Sequence, residues 1–153
     1  MRVWRLCKSR HAALDGEGAR LAGGRWNSRG TPVVYASDSL SLAALELLVH
    51  CDPALLPEDL VAVEIEIPDG VAQRRLEIAE LPRSWRRHPA PASLARMGNL
   101  WAKEMTTALL VVPSAVVPGQ RNVLLNPRHP DFGRIRAGRP ERFALDARLS
   151  GRS

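Results

Sequence analysis

The sequence predicts an α+β fold in a single domain. A length of 153 residues suits one hydrophobic core. The chain carries five or six short strand-like runs and two or three helix-like runs. Their order is irregular and lacks the repeated strand–helix alternation of a doubly wound sheet.

The elements follow in order. Arg2–Leu6 alternates as a first strand, with Val3 and Arg5 on one face and Arg2, Trp4 and Leu6 on the other. Residues 8–22 mix charge, alanine and glycine without a period and read mostly as loop into Gly23-Gly24-Arg25-Trp26-Asn27. Pro32 opens a β-branched run, Val33-Val34-Tyr35, and Ser37 or Asp38 is placed to N-cap the helix that follows. That helix, about Ser39–Cys51, is apolar nearly all round and is therefore expected to be buried. Pro53 and Pro57 break the chain after it. Leu60–Ile67 reads as a strand with Val61, Val63, Ile65 and Ile67 inward and Glu64 and Glu66 outward.

The stretch from Pro68 to Pro91, rich in Arg, Glu and Pro, reads as a surface excursion anchored by Trp85. Ser93 to about Thr106 has helical spacing, interrupted by Gly98. Ala108–Val112 and Asn122–Asn126 are apolar strands placed to pair with each other, Asn126–Pro130 is a turn, and Phe143–Asp146 is expected as a terminal strand. Beyond Leu149 a frayed tail is expected.

Composition narrows the function classes. A hydrophobic fraction of 45% and a charged fraction of 25% are ordinary for a globular protein. No apolar run approaches the roughly 20 residues of a membrane span. The N-terminal residues carry no signal-peptide core, so a cytoplasmic location is expected. Cys7 and Cys51 lack metal-ligand spacing and read as free thiols. The net charge of +6 fits nucleic acid, an acidic protein or a phosphorylated small molecule. The arginines are scattered, without interleaved aromatics or a recognition helix, which disfavours direct nucleic-acid binding. There is no Walker loop, dinucleotide glycine motif, paired zinc ligands or Gly-x-Ser-x-Gly elbow.

Three polar side chains stand out. Glu46 sits in the apolar helix, where an unpaired charge would cost several kcal/mol unless bonded or facing a solvated cleft. Arg25 lies between glycines and Trp26, and Tyr35 ends a strand. Each has a structural account: an internal ion pair for Glu46, a surface position for Arg25, a core aromatic for Tyr35. Together, on a loop, a strand end and the next helix, they can converge on one cleft. Arginine suits pyrophosphate, tyrosine a ring, and glutamate a positively charged sugar transition state.

The blocks Gly24-Arg25-Trp26-Asn27, Val34-Tyr35-Ala36-Ser37, Ala43-Ala44-Leu45-Glu46, Val112-Pro113-Ser114-Ala115 and Asn122 through Pro130 resemble the RES-domain toxins of bacterial RES–Xre toxin–antitoxin pairs. The resemblance covers about Val3 to Pro130 of a single domain spanning 1–153. It implies a fold similar to ADP-ribosyltransferases of the diphtheria-toxin type, action on NAD as substrate without a metal, and an Xre-like helix-turn-helix antitoxin as partner, with room for a homodimer inside the complex. It also implies Arg25, Tyr35 and Glu46 as the catalytic core, with Arg5 and Ser114 joining Arg25 and Tyr35 as NAD-binding residues. Asn122, Asn126 and His129 match motif positions and are read as turn-shaping. The expected reaction cleaves the nicotinamide N-glycosidic bond. Water as acceptor makes a glycohydrolase, phosphate a phosphorylase, and a protein side chain an ADP-ribosyltransferase. The alternative from a different class is a noncatalytic basic interaction module.

Overall fold

The computed structural model describes residues 1–52 and 55–149. Pro53 as a chain breaker and the tail from Ser150 therefore lie outside the described residues. The elements are β1 (Arg2–Lys8), α1 (Glu17–Ala22), β2 (Val34–Ser37), α2 (Leu40–His50), β3 (Leu60–Glu66), β4 (Gln73–Arg75), α3 (Ala92–Glu104), β5 (Leu109–Pro113), β6 (Arg121–Leu125), β7 (Arg136–Ala137) and β8 (Glu141–Arg142). The strands form one sheet in the order β4-β5-β6-β2-β1-β3-β7, with β8 also on β3. β4 and β5 pair in parallel, and the other described pairs are antiparallel. The α+β class expected from the irregular element order is the one observed.

Strand alternation divides the core between the two faces of the sheet. Val3, Val34, Ala36, Val63, Ile65, Leu109, Val111, Val123 and Leu125 pack on one side. On the other, Leu110, Val112 and Leu124 meet Trp26, Leu94, Trp101 and Trp85, with Tyr35 packed against them. Cross-strand register carries this second side out of the apolar layer: Tyr35 faces Leu124, Ser37 faces Asn122, and Asn122 faces Val112. Polar residues thus take over where the apolar rows of β2 and β6 end.

Several expectations need correction. Residues 8–22 contain a 3-10 turn at Ser9–His11 and the helix α1, whose start is marked by Gly16 in the left-handed region. Six residues of helix were too few to show a period. Ser39, and not Ser37 or Asp38, N-caps α2 by accepting from the Leu42 amide at 3.2 Å. α2 is not buried all round: Leu42, Ala43 and Ala44 are buried, but Leu45 and Val49 are exposed. Val61 is only partly buried, packing against the core from its edge. The segment from Pro68 to Pro91 is more than a surface excursion, because β4 joins the sheet and Leu76 and Leu81 are buried along with Trp85. Phe143–Asp146 forms no strand. Pairing stops at β8, after which the Phe143 amide donates to the Leu60 carbonyl.

Gly98, which breaks the helical pattern of α3, explains how that helix docks. A Cβ at this position would overlap the Trp26 carbonyl oxygen. Glycine lets the arginine-bearing turn lie directly on the helix. Next to it, the Ser28 amide donates to Asn99 Oδ1 at 2.9 Å and Asn99 Nδ2 donates to Ser28 Oγ at 2.8 Å.

Candidate active site

Gly24 and Asn27 close a tight turn through backbone bonds in both directions, 2.9 and 3.4 Å. Trp26 is buried at 2% exposure, and its neighbour Arg25 is half-buried. Asn27, 1% exposed, anchors the turn from below. Its Nδ2 donates to the carbonyls of Ala19 (2.8 Å) and Thr31 (3.0 Å), and its Oδ1 accepts from the Tyr35 hydroxyl at 2.7 Å. The Trp26 amide donates to the same hydroxyl at 3.1 Å. Gly24 has no room for a side chain, since a Cβ would stand 2.7 Å from the Tyr35 oxygen.

Arg25 is held by main chain. Its Nη1 donates to the Trp85 carbonyl at 2.7 Å and the Arg87 carbonyl at 3.2 Å. Burial lowers its basicity, while the nearby charge of Glu46, and Tyr35 after it, pull the other way. The Tyr35 hydroxyl is pushed well above its ordinary pKa, chiefly by burial, with the Trp26 amide and Arg25 opposing.

Glu46, half-buried on α2, makes no ion pair among the described residues, which overturns the internal salt-bridge account. Its Oε1 accepts from Ser114 Oγ at 2.7 Å and from Asn122 Nδ2 at 2.6 Å. Ser114, 2% exposed, accepts in turn from the Val116 and Val117 amides at 3.1 and 3.0 Å. Asn122 is no turn residue: it lies in β6, and its Oδ1 accepts from Ser37 Oγ at 2.7 Å. The motif match singled this asparagine out, but its role could not be read locally, because its partner is 76 positions away.

The structure therefore links Glu46 to Ser114 by contact and to Arg25 through its charge, and Arg25 in turn to Tyr35. Arg5 is not bonded to this group. Its Nη2 donates to the His11 carbonyl at 3.3 Å, and its buried Nε has no hydrogen-bond partner. Asn126 and His129 keep the structural roles expected of them. Asn126 Nδ2 donates to the Ala102 carbonyl at 2.9 Å, and His129 Nδ1 accepts from the Asp131 amide at 3.0 Å.

The Arg25 clamp also borders a concavity of about 320 Å³ lined by Arg83, Ser84, Arg86 and Arg87. Arg86 lies over the Trp85 ring and donates to the Ala115 carbonyl, tying this turn to the Ser114 loop. A second cavity, about 470 Å³ beside Trp4, Leu40 and Glu64, includes none of the five candidate residues.

The RES domain profile matches residues 2–146. The chain belongs to the RES-domain toxins. The "Prs ADP-ribosylating toxin" of Sphingobium sp. (strain YBL2) is 42% identical over 139 residues, covering 89% of this chain and 86% of that protein. The "Toxin Res" of Yersinia enterocolitica is 38% identical over 152 residues, covering 97% and 99%. A chain of the crystal structure of the M. tuberculosis MbcT–MbcA toxin–antitoxin complex shares the fold, with a TM-score of 0.74 at 21% identity over 98% of this chain and 86% of that one. In this RES domain, no described helix is long and apolar enough to cross a membrane.

Proposed function

We propose that this RES-domain toxin binds NAD in the cleft between the Arg25 turn and α2 and cleaves its nicotinamide N-glycosidic bond, with water or phosphate as acceptor. The observation that carries the reading is a carboxylate, Glu46, fixed by two donors on one oxygen, with Arg25 close enough to feel its charge and Tyr35 beside Arg25. In the reaction, the C–N bond to the ribose breaks with its electron pair leaving on neutral nicotinamide. The ribose carbon becomes an oxocarbenium centre, and an oxygen of the acceptor adds to it and loses its proton to solvent. A preorganised carboxylate stabilises the positive charge that develops. Arg25 takes the pyrophosphate. Arg5 belongs to this reading through the family resemblance alone, because it pairs with Val63 on the sheet face opposite Ser37 and Asn122. Tyr35 orients the nicotinamide ribose end through its ring, and Ser114 steadies Glu46.

One relative favours a second reading. The Sphingobium protein is named for ADP-ribosylating Prs, so transfer to a protein acceptor is the alternative outcome of the same chemistry. Incubating the pure protein with NAD, with and without inorganic phosphate and with a Prs protein, and weighing the products separates the three acceptors. NAD that stays intact under all three conditions refutes the enzyme reading.

A toxin that consumes NAD must be blocked in its own cell. We propose that an Xre-like antitoxin inserts an acidic side chain or terminal carboxylate beside Arg25, competing directly with NAD. Purely noncompetitive inhibition, with unaltered antitoxin affinity in Arg25→Ala, would place the contact elsewhere.

A further inference from the structure

Glu46 is gripped in an unusual way: both of its hydrogen bonds fall on Oε1, from Ser114 Oγ and Asn122 Nδ2, and no bond to Oε2 occurs among the described residues. Each donor is itself committed. Ser114 Oγ accepts two backbone amides, so its single hydrogen is directed at Glu46. Asn122 could in principle turn its amide over, which would set Oδ1 against the carboxylate and repel it. The acceptor-only carboxylate opposes that turn, and Ser37 completes the arrangement by donating to Oδ1 at 2.7 Å, at 4% exposure, where water competes little. Ser37 and Asn122 are cross-strand partners, so the sheet register sets their alignment.

We propose that Asn122, braced by Ser37, is a positioning residue that holds Glu46 Oε1 and thereby leaves Oε2 as the oxygen that meets the substrate ribose. This rests on the NAD reading for the identity of the substrate, though not for the existence of the relay. The chain Ser37–Asn122–Glu46 runs from β2 through β6 to α2 and joins the helix to the sheet at the one carboxylate the chemistry needs. Charge-assisted donors of this kind are short and directional. A carboxylate freed from one of them tilts, and misplacement by about 1 Å costs on the order of 100-fold in rate.

Two measurements test the proposal. In steady-state NAD cleavage, Asn122→Ala should lower kcat about 10- to 100-fold, with KM moving far less. Ser37→Ala should lower kcat in the same sense, and the double variant should be no worse than Asn122→Ala alone, because Ser37 acts through Asn122. Wild-type kcat in folded Asn122→Ala, or strictly additive losses in the double variant, overturns the proposal. Independently of catalysis, the Asn122 side-chain amide resonances in a 15N–1H NMR spectrum should shift in both Glu46→Gln and Ser37→Ala. Resonances that respond to neither variant also overturn it. A wild-type protein that leaves NAD intact while these resonances shift retains the relay and loses the functional reading, so the two failures are told apart.

Discussion

The Tyr35 hydroxyl donates to Asn27 Oδ1 at 2.7 Å while accepting the Trp26 amide at 3.1 Å. Both bonds run to the turn that carries Arg25, so the phenol is engaged within the protein and its ring is what remains for a ligand. Tyr35→Phe should leave the Trp26 amide and Asn27 Oδ1 without this partner. The expected loss is about 1–3 kcal/mol of stability, read from urea unfolding. NAD cleavage should weaken mainly through KM, since the loosened turn is the one that presents Arg25.

Tyr35 is the single tyrosine of the chain, so absorbance titration reports it alone. Burial raises its pKa above the ordinary value of 10.0. The folded state therefore holds the proton that the unfolded chain has begun to lose. Its contribution to stability is complete below pH 10.0 and declines as pH rises from there toward the folded-state pKa. The phenolate band should stay absent from the folded protein just above that pH. Thermal melts at increasing alkaline pH should fall more steeply for the wild type than for Tyr35→Phe. Equal slopes, or early phenolate absorbance, would contradict the enclosed hydroxyl.

Glu46→Gln should abolish NAD consumption in a folded protein. The amide oxygen can still accept from Ser114 and Asn122, so packing is kept, while the negative charge facing the sugar is gone. Full activity in a variant with an unchanged melting temperature would remove Glu46 from the mechanism.

For Arg25→Lys the expectation is a rise in KM of about tenfold or more, despite the conserved charge. One guanidinium nitrogen now grips two carbonyls, leaving the rest of a planar fork for a ligand. An ammonium cannot do both. An unaltered KM would make Arg25 structural.

Gly98→Ala should push the Trp26 backbone off α3. Overpacking of this kind costs about 1–3 kcal/mol, to be measured by urea unfolding. It should also reduce NAD cleavage, because the displaced Trp26 adjoins Arg25. Wild-type behaviour on both counts would mean that the turn and helix have room to separate.

The residues differ in how visible they were beforehand. Arg25, Tyr35 and Glu46 stand out because each is a polar side chain where local pattern demands another kind: between glycines, at a strand end, in an apolar helix. The strands with clean alternation or continuous apolar runs were legible for the same reason. Asn122, Ser37 and Asn27 fall in the blocks that carry the resemblance, but their roles were not legible, since such a residue in a strand or turn has many uses and only register shows what it faces. Six-residue α1 and three-residue β4 fall below the length at which periodicity can be seen. The apolar α2 misled in a different way: pattern reports which residues avoid water and cannot report that a neighbouring element fails to cover Leu45 and Val49.

Arg25 is gripped by the carbonyls of Trp85 and Arg87, groups that every amino acid supplies. Replacing the side chain at position 87 therefore leaves the grip intact as long as the backbone keeps its path. Evolution is free to rewrite the outward-facing letters of this turn, exchanging charge for charge or polarity for polarity, without touching the arginine beneath. Selection would act there on the shape of the chain, through the buried ring of Trp85, more than on the identity of the exposed residues. Diversity along this rim would allow related toxins to be matched to different inhibitors while the chemistry under it stays the same.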